Sequence, residues 1–465
     1  MSNPAKESVS LLLTAGWVLT MNQEDEVFAP GAVAVRDAHL VAVGPQEELA
    51  HRFEAERVLD YPMGLILPGL INAHTHLYQN FLKGLNDGLT MVDWCDDVLF
   101  PAADVIHADH RGAGDQRLGQ AWSQVAALEM IKSGTTCCIN MDMSMDAVFQ
   151  GWFDIGFRGV GAVTLVDQWI RPELLLPIED IQQQTLGNVE RWHQVPAESP
   201  RIQIALAPST PFTTSPELLH WAREQRDRLD LFVQIHVAET RYEVVEIARQ
   251  HGTTPLAYLD RFGLVDRRLS AVHCVHMADQ DLDMVLECGV IPVYNPKSNM
   301  KLGSGIAPVA AMLRRGIPVA LGTDGSASND LLDMFEEMRA GALLQKVAGE
   351  DPSVITAADV FRMATENGAK AARIDAGTVD PGRLADVVLV DLSGAHLVPV
   401  HDIMNSLVYC AKGSDVETVI IDGQVVLENR KLLTLEEGAI LDMAQEWGQN
   451  LRQRSLRSSL YRPYR

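Results

Sequence analysis

Residues 64–76 read Gly-Leu-Ile-Leu-Pro-Gly-Leu-Ile-Asn-Ala-His-Thr-His, an apolar run that ends in two histidines one residue apart. Alternation along a strand puts residues i and i+2 on one face, so His74 and His76 point the same way. Moving outward along the chain, further apolar runs end in polar groups. These are RIQIALAPS at 201–209, LFVQIHVAE at 231–239, LSAVHCVH at 269–276, IPVYNP at 291–296 and IPVALGTDG at 317–325. Stretches with helical character, such as PELLHWAREQRDRLD, DLDMVLECG and VAAMLRRG, fall between them. Repeated strand–helix units imply a parallel sheet, and over residues 67–378 the expected form is a closed (β/α)8 barrel of the α/β class.

The two ends have a different texture. Residues 1–66 and 379–465 hold short β-rich runs broken by Gly, Asn and Asp, and Asp422-Gly423 between two apolar runs is a hairpin signal. The expected organisation is a small β-sandwich domain built by both termini around the barrel. A basic tail with Arg452, Arg454, Arg457, Arg462 and Arg465 follows as a frayed end or a subunit contact, in keeping with a homo-oligomer.

The 465 residues carry 38 Lys+Arg against 62 Asp+Glu, a formal net charge of −24, with 47% hydrophobic and 22% charged residues. That balance excludes a disordered chain and argues against nucleic acid or an anionic membrane as partner. The six cysteines are too few for a disulfide scaffold and form no CxxC pair. No secretory leader is evident at the start and no apolar run is long enough to span a bilayer, so the cytoplasm is the expected compartment.

Barrel active sites are built at the C-terminal ends of the strands. Four features are expected there: His74 with His76, His236 followed by Glu239, His273, and Asp324. Converging neutral imidazoles suit Zn2+, Fe2+ or Ni2+. Taken singly, each also fits a hydrogen-bonded core histidine or an Asp capping the next helix. His107, His110, His193, His220 and His251 have no such placement and are read as surface residues, and His276, three residues after His273, is assigned no role. Met141, Met143 and Met145 read as core filling and Glu129 as structural.

Together, PGLINAHTH, HVAE, HCVH and GTDGSASND resemble the amidohydrolase superfamily, and within it the cytosine-deaminase-like branch of adenosine/S-adenosylhomocysteine deaminases, 8-oxoguanine-type deaminases and s-triazine hydrolases. The resemblance spans nearly the whole chain. It implies one divalent metal, zinc or iron(II), held by His74, His76, His236 and Asp324. It also implies Glu239 as proton shuttle, Asp324 as general base and His273 as the group stabilising the attacking oxygen. The implied chemistry is attack of a metal-activated hydroxide on an amino-substituted aromatic N-heterocycle with release of ammonia. Small zinc deaminases of the cytidine type are excluded, because they need PCxxC.

The substrate reading rests on fewer residues. Gln79, Trp94, Ser209, Ser328 and Asn329 are the candidate substrate contacts. Nucleoside deaminases of the branch carry a ribose-binding Glu where Ala103 stands here and a His where Ser209 stands. The arginine that would meet an amino-acid carboxylate has no counterpart, since Arg158 comes too early. These departures favour a free base or triazine, with chloride or alkylamine displacement from an s-triazine, or an adenosine-type nucleoside, as alternatives.

Overall fold

The computed structural model describes residues 6–85, 87–103, 117–143, 145–195 and 200–455. His107 and His110 lie outside them, and the five tail arginines lie outside the described side chains. Eight parallel strands follow one another in chain order: β1 (Leu70–Thr75), β2 (Thr135–Asp142), β3 (Arg158–Leu165), β4 (Ile202–Pro208), β5 (Val233–Val237), β6 (Leu269–His273), β7 (Ile291–Tyr294) and β8 (Ala320–Leu321). Helices lie between them, including Pro216–Leu229, Arg241–His251 and Asp279–Cys288. The three helical stretches quoted from the sequence form Pro216–Leu229, Asp279–Cys288 and Val309–Arg314.

Strand alternation sorts the core into two layers. Ala205 and Ala207 of β4 join a buried cluster with Ile139, Ala162, Val272 and Val293 from other strands. Ile204 and Leu206, pointing the opposite way, join the larger cluster that packs the helices. The first and last strands meet through side chains as well as backbone. Thr323 N donates to Asn72 Oδ1 at 3.0 Å and Asn72 Nδ2 to Thr323 Oγ1 at 2.7 Å, while Asp324 N donates to the His74 carbonyl at 2.9 Å. This seam brings His74 and Asp324, 250 residues apart, side by side.

Both ends of the chain build one nine-stranded mixed sheet. Its joint is the antiparallel pairing of Phe53–Pro68 with Val387–Asp391. The expected hairpin is present: Val416–Ile421 and Gln424–Glu428 pair across Asp422 (φ 58°) and Gly423 (φ 73°), two positive φ values that match a primed turn. Strand Phe53–Pro68 passes directly into β1 through Gly69, where a Cβ would come within 2.0 Å of Thr136 Oγ1. Barrel and sheet are also tied by charge. Arg158 on β3 is 2% exposed and donates to Asp386 (2.6 and 3.2 Å) and to Asp422 (2.9 Å). No helix among the described residues is long and apolar enough to cross a membrane.

Candidate metal and active site

The histidines meet because each terminates or follows a different strand of the same barrel end. His74 ends the buried face of β1, His76 follows it, and His236 sits on the central strand β5. One ligand atom from each lies within 4.8 Å of the others. Their outer nitrogens all face acceptors: His74 Nδ1 meets Gln234 Oε1 at 2.9 Å, His76 Nδ1 the Met141 carbonyl at 2.7 Å, and His236 Nδ1 the Ser209 carbonyl at 2.7 Å. An acceptor at Nδ1 calls for the proton there, which leaves the three Nε2 lone pairs aimed inward. His74 Nε2 and His236 Nε2 face each other at 3.3 Å, and both His74 and His76 place Nε2 3.4 Å from Asp324 Oδ1. Lone pairs converging at this distance, with a carboxylate beside them, fit a divalent cation of the zinc type.

The electrostatics agree with that donor set. Burial, reinforced by the neighbouring imidazoles, lowers His76 to about 4 and His236 well below the ordinary histidine range, keeping their lone pairs free of protons. Burial alone would raise Asp324, but its contact with His74 and the other imidazoles outweighs that and holds the carboxyl well below the usual carboxylate range. Its second oxygen accepts from Ser298 Oγ (2.5 Å) and Ser328 Oγ (3.1 Å), so Oδ1 is the one turned to the histidines.

Glu239 lies just beyond β5, 7% exposed, with Oε1 accepting from Ser304 Oγ at 3.2 Å and Oε2 3.8 Å from His273 Nε2. Burial, with the Asp324 charge adding to it, pushes the Glu239 carboxyl up to about 8. His273 ends β6, and burial lowers it to about 4. Asn295 satisfies its own amide best with its oxygen 3.3 Å from His273 Nδ1 and its nitrogen donating to the Gly322 carbonyl at 3.1 Å. Ala238 (φ 51°), His273 (φ 70°), Cys274 (φ 49°) and Asp324 (φ 60°) all adopt the left-handed region, which costs non-glycine residues energy and recurs at functional sites.

These groups open onto a cavity that Gln79, Trp94, Ala103, Ser209 and Ser328 also line. Gln79 turns its oxygen toward Ala327 N (3.3 Å), and Ser328 serves Asp324, so both are partly committed to the protein itself. Asn329 is the exception. It is not among the lining residues, and its amide nitrogen is spent on Glu337 Oε1 (2.5 Å) and the Thr323 carbonyl (2.6 Å), so it braces the loop after β8 from behind. Of the methionines read as core filling, Met141 packs in the buried cluster inside the barrel and Met145 in the larger one; Met141 and Met143 also line the cavity, because β2 ends beside β1 at its rim. His193 and His251 are half-buried rather than surface groups: His193 Nδ1 accepts from Ile204 N at 3.1 Å, and His251 stacks on Tyr258 at 4.1 Å. His276 contacts the Ser304 carbonyl at 2.8 Å, one residue removed from Glu239.

Several supporting residues escape sequence reading. Gln234 orients His74, Ser298 holds Asp324, and Asn295 holds His273. Glu243 accepts from Ala238 N (2.8 Å) and Glu239 N (3.0 Å), fixing the turn that carries Glu239. The only local signal is Gln234 two residues before His236, the same-face spacing of a strand.

Residues 65–426 match the amidohydrolase family. The chain is 40% identical over 438 residues to a 5-methylthioadenosine/S-adenosylhomocysteine deaminase of Syntrophobacter fumaroxidans, covering 93% of this chain and 96% of that one. It is 40% identical over 392 residues to a 5'-deoxyadenosine deaminase of Methanothermobacter thermautotrophicus, covering 84% and 88%. An adenosine deaminase from Xanthomonas campestris with bound zinc superposes with a TM-score of 0.91 at 32% identity, covering 97% of this chain and all of the other. Match, fold and site geometry agree: the chain belongs to the amidohydrolase family, as an aminohydrolase acting on C–N bonds.

Proposed function

We propose that this protein hydrolyses the ring amino group of an adenine nucleoside, releasing ammonia and leaving a carbonyl on the purine. The observation that carries the reading is the meeting of His74, His76, His236 and Asp324 with a protonatable Glu239 at the inner end of one cavity. Ala103 and Ser209 argue for a smaller ring. The relatives, 40% identical and named for adenosine derivatives, argue for the nucleoside, and they outweigh two positions because they match along most of the chain. The cavity also runs on past the metal-facing residues to an apolar outer part, room that a free base would leave empty.

In this reading His74, His76, His236 and Asp324 hold one divalent ion, zinc by the likeness to the zinc-bound Xanthomonas deaminase. The ion, when bound, supplies Lewis-acid activation of water near neutral pH. Glu239, protonated at neutral pH, donates to a ring nitrogen and makes the adjacent carbon electrophilic. Asp324 accepts one proton from the attacking water and passes it to the departing amine, and Glu239 recovers its proton from the added hydroxyl as the ring carbonyl forms and ammonia leaves. His273, neutral and with its Nδ1 proton turned to Asn295, presents an unprotonated Nε2 that accepts a hydrogen bond from the attacking water. Gln79, Trp94, Ser209 and Ser328, which line the cavity, are the side chains this reading assigns to contact with the purine or ribose.

The test is ammonia release by metal-loaded protein from adenosine, 5'-deoxyadenosine, 5'-methylthioadenosine, S-adenosylhomocysteine, adenine, guanine and aminotriazines. Turnover of adenine nucleosides is expected. Turnover confined to free bases or triazines would overturn the reading.

A further inference from the structure

The two carboxyl oxygens of Glu239 have different surroundings, and a residue outside the cavity tells them apart. The backbone of Glu239 is pinned from behind: Glu243, 1% exposed, accepts from Ala238 N and Glu239 N with its two oxygens (2.8 and 3.0 Å). The terminal torsion of a glutamate is broad and roughly two-fold, so a pinned backbone still leaves the two oxygens interchangeable. Ser304 removes that equivalence. Its Oγ donates to Glu239 Oε1 at 3.2 Å, while Oε2 lies 3.8 Å from Nε2 of His273. Glu239 and His273 line the cavity and Ser304 does not. Oε1 is thus turned to the protein and Oε2 to the side where the chemistry is proposed.

Ser304 is itself held by a short loop that permits close approach. Its N–H donates to the Asn299 carbonyl (3.0 Å), and its own carbonyl accepts from His276 Nε2 (2.8 Å). Gly303 (φ 64°) and Gly305 (φ 127°) flank it, and a Cβ on Gly305 would come within 2.9 Å of Val275 Cγ1. Ser304 is 8% exposed, and among the described residues Glu239 Oε1 is the one hydrogen-bond partner of its hydroxyl. The hydroxyl hydrogen therefore goes to Oε1. In a protonated carboxyl the carbonyl oxygen is the better acceptor, which puts the acid hydrogen on Oε2.

We infer that Ser304 is a positioning residue for the acid step: by donating to Oε1 it places the transferable proton of Glu239 on Oε2. This inference rests on the reading of Glu239 as proton shuttle and not on which ring the enzyme takes. The O–H bond at Oε2 breaks as the ring N–H bond forms, and the carboxylate regains a proton from the added hydroxyl as the ring carbonyl forms. Ser304 itself neither gains nor loses a proton.

The test compares metal-loaded wild type, Ser304→Ala and Ser304→Thr, with metal content and melting temperature checked for each. The pH profile is taken on whichever compound of the panel above the wild type turns over fastest. Ser304→Ala is expected to lower kcat about tenfold with KM little changed, a loss felt in the transition state. The alkaline limb of its kcat/KM profile is expected about one unit above that of wild type, because the ionised carboxylate has lost a donor. The other titratable groups facing Glu239, namely Asp324, Glu243, His273, His74 and Cys95, are common to both proteins, so the difference reports Ser304. Ser304→Thr, which keeps the hydroxyl, is expected to restore both values. The Glu239 pKa is also read without turnover, by infrared titration of the carboxyl band that Glu239→Gln removes. A limb or band that Ser304→Ala leaves in place, or moves to lower pH as for a hydroxyl that accepts the acid hydrogen, would overturn the proposal while leaving Glu239 as the shuttle. A band that moves as expected in an enzyme whose turnover survives Glu239→Gln would remove the shuttle reading, and this inference with it. If Ser304→Ala does not fold, Ser304→Cys, a weaker donor, serves the same comparison.

Discussion

The inner nitrogen of His74 is aimed by a residue on another strand: Nδ1 of His74 meets Oε1 of Gln234 at 2.9 Å, and Gln234 Nε2 in turn donates to the Ala73 carbonyl at 2.9 Å. Because Gln234 and His236 share one face of β5, a single strand supplies one candidate ligand and orients another. Replacing Gln234 by Leu leaves His74 free to adopt the other tautomer, so zinc affinity is expected to fall about 10- to 100-fold. A competition titration against a chelator measures this, and unchanged affinity would show that the pairing has no part in metal binding.

Removing a proposed ligand should act more completely than removing its support. His74→Ala is expected to leave the purified protein without stoichiometric metal, measured by elemental analysis. Retention of one equivalent would remove His74 from the ligand set.

Glu239 separates metal binding from turnover. Glu239→Gln preserves shape and the contact with Ser304 but cannot cycle a proton. Metal content is expected to stay at the wild-type level while kcat falls by about 10^2- to 10^4-fold. Near-normal kcat would exclude the proton-shuttle role.

The same group sets a direction for pH dependence. Burial pushes the Glu239 carboxyl up to about 8, so the acid form predominates below that pH and the carboxylate above it. The proposed first step needs the acid form. The kcat/KM profile is therefore expected to hold through neutral pH and fall by about tenfold per unit once pH rises beyond the Glu239 pKa. A profile still rising at pH 9.5 would contradict this order of proton transfers.

At the joint between barrel and mixed sheet, Asp386→Ala would leave Arg158 buried with its carboxylate partner reduced to Asp422. Breaking a buried ion pair from one side is expected to cost about 3–5 kcal/mol, read from chemical denaturation with metal content held constant. A loss below about 1 kcal/mol would mean that the joint relaxes to admit water.

The site was legible in the sequence where its residues sit on strands. Period-two alternation needs no long-range information, so His74, His236, His273 and Asp324 could be assigned to strand ends, and the Asp422-Gly423 hairpin to its turn. Asn329 illustrates the limit. Its place just after Asp324 suits a substrate contact equally well, and only the packing of helix Met334–Gly349, which brings Glu337 against it, turns its amide away from the cavity.

Trp169 shows the same limit from the other side. Nothing in DQWIRP marks a left-handed tryptophan; that conformation follows from hydrogen bonds to Thr213, some forty residues later. What the sequence determined by itself was local and periodic: strands, helices, the turn chemistry and the residue types able to bind a metal. What only the tertiary structure decided was which of those residues share a distance of a few ångströms and which way their donors face. Hydrogen bonding and ion pairing act across that short range, and closure of the barrel at Asn72 and Thr323 is what brings the distant pairs within it.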